Sequence, residues 1–136
     1  MNQDLLKSSP ITPRNWQSVL EEYQASSPYN YVVMDNFLQP AVCEQLHQEL
    51  LKHVGWRYQN QTERSIVSNI KPNVDIIFAI AESIKAHCLS MFSDYELVEH
   101  WALMYPKNMP GKVHSDMGSL TLNIWLTPDQ YNLDPS

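Results

Sequence analysis

Positive charge is scarce in this chain: among 136 residues, 9 Lys and Arg face 15 Asp and Glu, for a formal net charge of −6. That balance gives no electrostatic basis for gripping a phosphate backbone, so nucleic acid is not an expected partner. Long apolar runs are also lacking. The most apolar stretch, Val74 to Phe92, is interrupted by Asp75, Glu82, Lys85 and His87, which a bilayer tolerates only at high cost, so no membrane span is expected. The opening "MNQDLLKSSPITPRNW" has neither the basic start nor the apolar core of a secretion signal, and residence in the cytoplasm follows by default. Only two cysteines are present, Cys43 and Cys88, in no C-x-x-C pair; both read as small, reduced core residues. There is no internal repeat and no low-complexity tract.

What is present suffices for one compact domain with a real core. Hydrophobic residues make up 43% and charged residues 18%, within the range of folded globular proteins. Residues 1–12 are polar, broken by Ser8-Ser9-Pro10, and read as a flexible leader. From Pro13 the spacing of Trp16, Val19, Leu20 and Tyr23 predicts a short helix capped by Thr12. "YVVM" at 31–34 predicts a strand entering a turn at Asp35-Asn36.

Pro40 opens a second helix with the stripe Val42, Cys43, Leu46, Leu50, Val54, ended by Gly55 through a positive φ. Residues 56–70 read as strand, loop and strand. Pro72 starts a third helix of about five turns, with the stripe Val74, Ile77, Phe78, Ala81, Ile84, Cys88, Met91. From Tyr95 the period changes to two. Leu97, Glu99, Trp101 and Leu103 fall on one side and Val98, His100, Ala102 and Met104 on the other, with both faces expected to be largely covered. After the turn-rich 105–111, a further strand over 119–126 alternates Leu120, Leu122, Ile124 and Leu126 with Thr121, Asn123 and Trp125.

The residues with the clearest chemical content are His114 and Asp116. On an extended segment, side chains at i and i+2 point to the same side, so an imidazole nitrogen and a carboxylate oxygen can converge on one ion. They form two thirds of the two-histidine, one-carboxylate arrangement that binds iron(II) with positions left open. A shared surface hydrogen bond is the plain alternative. His47, His53 and His87 lie on or beside helical stripes and read as helix residues, and His100 shares strand parity with Ala102 and Met104. None of the four is expected to bind metal.

The stretch "HWALMYPKNMPGKVHSDMGSLTLNIWLTPDQYNLDPS", residues 100–136, resembles the start of the catalytic double-stranded β-helix of iron(II)- and 2-oxoglutarate-dependent dioxygenases. In particular it is similar to bacterial members related to prolyl 4-hydroxylases. There a Tyr-containing strand, an H-x-D, an N-x-W strand and a T-P-D-x-x-N-L-D turn follow in this order. "VVMDNFLQPAVCEQLHQELL", residues 32–51, resembles the strand-then-helix opening of the same group.

The resemblance implies an α+β fold, with helices over 13–93 packed on an incomplete double-stranded β-helix (jelly roll) from 94 to 136, the whole of 13–136 being one partial oxygenase domain. It also implies His114 and Asp116 as catalytic iron(II) ligands, and Tyr105 and Asn123 as 2-oxoglutarate-binding candidates. The substrate would be a small molecule or a peptide. The distal histidine and the basic residue that anchors 2-oxoglutarate have no matching positions in this sequence. The expectation is therefore a front part of a larger catalytic domain that is inactive alone. The rival expectation is a non-catalytic interaction module, joined to a complementing chain or to a second copy through an exposed strand edge.

Overall fold

A computed structural model describes residues 8–61, 64–87, 92–105 and 114–131. In chain order it contains α1 (Trp16–Ala25), α2 (Pro40–Lys52), β1 (Arg57–Gln61), β2 (Arg64–Ile70), α3 (Asp75–His87), β3 (Trp101–Met104) and a short 3-10 turn at Asp129–Tyr131. Helices and an antiparallel sheet in separate stretches make an α+β chain. It divides into two compact units, Met1–Gln45 with Asp75–Glu96, and Leu46–Val74 with Leu97–Ser136.

In the first unit, α1 begins three residues after the expected Pro13. Its cap is Asn15 rather than Thr12: the Asn15 side chain accepts hydrogen bonds from the backbone N–H groups of Gln17 and Ser18. Asn15 competes for that role because its short amide reaches the first free donors of the helix, whereas the Thr12 hydroxyl is buried without a partner among the described residues. The end of the presumed leader is fixed. Ile11 is only 2% exposed and bridges to Leu38, while Thr12 N–H donates to Phe37 O and Gln39 N–H to Pro10 O, each at 3.0 Å. Residues 1–7 lie outside the described residues.

Arg14 completes this corner. Its guanidinium donates to the carbonyls of Asp35 and Asn36 and stands 5.9 Å and 5.5 Å from the ring centroids of Trp16 and Phe37. The expected turn at Asp35-Asn36 is present, with Asn36 at φ 50°. The strand expected at 31–34 is absent as a ladder; Tyr31 N–H donates instead to Ser26 Oγ at 2.7 Å, and Tyr31 and Val33 are exposed. β-branched and aromatic residues favour extension, but extension becomes a strand only where a second backbone is in reach.

α3 buries Ile76 and Ile80, not the predicted stripe. Ile77, Ala81 and Ile84 are half-buried and Phe78 is exposed, while Val74 is buried just ahead of the helix. With apolar side chains at 76, 77, 78, 80, 81 and 84, the sequence marks more than one stripe, and packing selects between them. Cys88 and Met91, assigned to that stripe, lie outside the described residues.

In the second unit the two strands expected within 56–70 are found, and residues 62–63 between them lie outside the described residues. β1 and β2 pair antiparallel with Arg57 opposite Ser68, and β2 pairs antiparallel with β3, Ile70 opposite Trp101 and Val67 opposite Met104. β2 presents an inversion of the usual rule, since Ser68 and Asn69 are each 3% exposed while Ile70 is exposed. Asn69 is satisfied: its Nδ2 donates to Val54 O at 3.2 Å and lies 3.0 Å from Nδ1 of His53.

Gly55 has the expected positive φ (100°) but does not end α2, which stops at Lys52; a Cβ at 55 would meet Asn69 Oδ1 at 3.4 Å. Leu46 and Leu50 of the α2 stripe are buried and Trp56 Nε1–H donates to Leu50 O. Val54, also assigned to the stripe, is exposed because α2 ends at Lys52. The covered double face expected from Tyr95 is not found either. β3 is four residues long, and Trp101 and Leu103 stay exposed while Ala102 and Met104 are half-buried. No described helix is long and apolar enough to cross a membrane.

Candidate metal site

His114 and Asp116 sit on a short stretch of chain that belongs to no helix and no ladder. Nε2 of His114 lies 3.3 Å from Oδ1 of Asp116, so the spacing of two residues does bring the donors together. The imidazole is largely exposed, at 70%, and the carboxylate more sheltered, at 25%. An ion arriving from solvent would reach the imidazole first.

Two donors bound to one ion at about 2.1 Å and at right angles stand about 3.0 Å apart. The observed 3.3 Å is within a small torsional adjustment of that value. The donor chemistry, one imidazole and one carboxylate, also matches the facial arrangement used for ferrous iron. The same 3.3 Å is also that of a direct imidazole–carboxylate contact, the shared surface bond that the sequence offers as the plain alternative. Among the described residues no group of three His, Cys, Asp or Glu side chains could hold an ion.

The chain turns immediately after the pair. Gly118 has φ 130°, a conformation open to glycine at little cost. A Cβ there would find only Leu120 O at 3.7 Å, so the backbone angle, not crowding, calls for glycine. Beside this turn is a cavity of about 220 Å³ lined by Val98, Glu99, Met117 and Gly118. Val98 and Met117 are 69% and 83% exposed, which makes it a surface hollow with one carboxylate on its wall. Sequence reasoning placed Glu99 on a strand face and gave it no role. Its signal was an acidic residue between Val98 and Trp101 in a mainly apolar alternating run.

Tyr105 follows β3 and is half exposed, at 50%, and Asn123 is exposed. Among the described residues neither makes a hydrogen bond, and nothing joins them to His114 or Asp116 in a common contact. Three of the other histidines have polar contacts to backbone or to Asn69. His87 Nδ1 lies 2.7 Å from Ser83 O, His100 Nε2 lies 3.0 Å from Pro72 O, and His53 meets Asn69. His47 differs from its expected satisfied state, because its Nδ1 is buried with no partner among the described residues. Burial, and secondarily the charge of Glu44, pushes the Cys43 thiol up from its ordinary value, in keeping with an unreactive, half-buried cysteine. Comparison of the chain with protein-family models, with curated proteins and with solved structures finds no match.

Proposed function

We propose that this chain is part of a cytoplasmic iron(II)- and 2-oxoglutarate-dependent dioxygenase, with His114 and Asp116 as two of its metal ligands. The observation that carries the reading is the 3.3 Å approach of Nε2 and Oδ1 on a segment free of helix and ladder. It is supported by the order of the Tyr-containing strand, H-x-D, N-x-W and T-P-D motifs in the sequence. When bound, ferrous iron with 2-oxoglutarate supplies oxygen activation for hydroxylation of a C–H bond.

The residues of this chain have more limited tasks. Nε2 must be unprotonated to donate to the metal, and the Asp116 carboxylate offsets its positive charge. Tyr105 and Asn123 are the proposed hydrogen-bond donors to 2-oxoglutarate, a task that requires both to leave the exposed positions they now hold. In the finer architecture of this reading, residues from 94 onward begin a double-stranded β-helix, and 119–126 is one of its strands. With no matching position for the third ligand or for the cosubstrate anchor, the 136-residue polypeptide alone is expected to convert no 2-oxoglutarate to succinate.

The test is anaerobic titration of the whole chain with iron(II), followed by chemical denaturation. A ligand binding only the folded state at a hundredfold excess over its dissociation constant adds about 2.7 kcal/mol of stability. Metal-dependent stabilisation lost in both His114→Ala and Asp116→Ala supports the ligand pair. Stabilisation unchanged in both variants contradicts it.

A second reading, a non-catalytic interaction module, is favoured by a different observation: the exposed apolar residues Leu120, Leu122 and Trp125 on an unpaired stretch. It predicts no stabilisation by iron(II) at all.

A further inference from the structure

Residues 119–127, "SLTLNIWLT", are the least satisfied part of the described chain. No backbone or side-chain hydrogen bond to any of them is found among the described residues, and none belongs to a ladder. Leu120 and Leu122 are 37% and 40% exposed and Trp125 is 83% exposed. A run of strong strand formers with free N–H and C=O groups is a template for strand addition. Proteins usually guard such runs with charge or proline, yet there is no charged residue from Met117 to Pro128, and the first proline is Pro128 itself.

Two features of this run specify its occupant. Antiparallel pairing of a segment with itself sets residue i against residue j and j against i, so the sequence must complement its own reverse. About Asn123 it does. Leu120 falls opposite Leu126 of a second copy, Leu122 opposite Ile124, Thr121 opposite Trp125, Ser119 opposite Thr127, and Asn123 opposite itself. The leucines and isoleucine occupy one face of the joined ribbon, and the hydroxyl, amide and indole groups the other.

The second feature is charge. Two copies of a chain with net charge −6 repel, and self-pairing across a charged residue would set like charge against like. Met117–Pro128 is a stretch where that penalty is absent, closed on either side by Asp116 and Asp129.

We propose that the chain forms a two-fold dimer by antiparallel pairing of residues 119–127 of two copies, with Asn123 on the dyad. The dimer does not depend on iron, and it is a state of this chain separate from the proposed enzyme, in which Asn123 would face 2-oxoglutarate and 119–126 would be a strand of the β-helix. It pairs the backbone groups along one edge of the run and sets Leu120 and Leu122 beside their counterparts on one face of the ribbon.

Sedimentation equilibrium of the full chain over a concentration series tests it. The expected result is a discrete species at twice the chain mass of 15.8 kDa. Asn123→Lys sets two ammonium groups against each other on the dyad and should return the mass to that of one chain. Residues 121 and 125 test the register: the double variant Thr121→Lys, Trp125→Lys should be monomeric, and Thr121→Glu, Trp125→Lys should stay dimeric through two opposite-charge pairs. All three positions are exposed and unbonded, so the variants leave the fold intact.

A single-chain mass for the unaltered protein throughout the series overturns the proposal, as does a dimer that survives Asn123→Lys. Loss of the dimer in both double variants overturns the register.

Discussion

Two stretches of the second unit are written in the same alternating style and end up in opposite conditions. β2 and β3 are joined over four residue pairs, from Val67 with Met104 to Ile70 with Trp101. Residues 120–126 alternate more regularly, yet have no ladder. In the paired stretch the polar residues Ser68 and Asn69 are buried, and in the unpaired one Leu120 and Leu122 are exposed. Alternation decides which side chains share a face. It does not supply a second backbone, and the partner decides whether a polar residue is sheltered or a leucine left in water.

The contrast can be sharpened by removing matched side chains from the two conditions. Leu50, 7% exposed on α2, and Leu122, 40% exposed, are the same residue in a buried and an unpaired setting. In the monomeric Asn123→Lys background, Leu50→Ala should cost about 2–5 kcal/mol in urea denaturation, as core truncations do. Leu122→Ala in the same background should fall within about 0.5 kcal/mol of its parent. Equal costs would break the comparison.

A smaller effect separates the two asparagines. Asn69 is buried and donates to Val54 O, and Asn123 is exposed with no bond among the described residues. Asn69→Ala should cost about 1 kcal/mol, because it removes the hydrogen bond that a buried side chain donates to Val54 O. Asn123→Ala should leave monomer stability unchanged, which parallel denaturation curves would check.

The elements legible in the sequence were those marked by local chemistry. Pro40 and the Val42, Leu46, Leu50 spacing gave α2, and the polar break between two β-prone runs gave β1 and β2. The turn at Asp35-Asn36 and the positive φ of Gly55 came from residues with a steric reason to be there. Most of the misses were non-local. Which stripe of α3 is buried, whether 31–34 finds a ladder, and whether Ile11 docks against Leu38 depend on segments distant in the chain. The cap of α1 was missed for a local reason, since Thr12 before Pro13 and Asn15 before Trp16 are both acceptable starts and only the side-chain bonds choose between them.

For the site, the rule that residues two apart share a side was enough to bring His114 and Asp116 together. Nothing of that kind could place Tyr105 or Asn123 relative to them, because each lies on a different segment. The acidic wall of the neighbouring hollow, Glu99, went unnoticed for the same reason.

Paramagnetic line broadening by manganese(II), a ferrous-iron surrogate for oxygen and nitrogen donors, tests the metal-ligand assignment most directly. With the whole chain and substoichiometric metal, the His114 ring and Asp116 resonances should broaden before those of His53, His87 and His100, and the effect should vanish in His114→Ala. Broadening that begins at another histidine, or that persists unchanged in His114→Ala, would contradict the assignment.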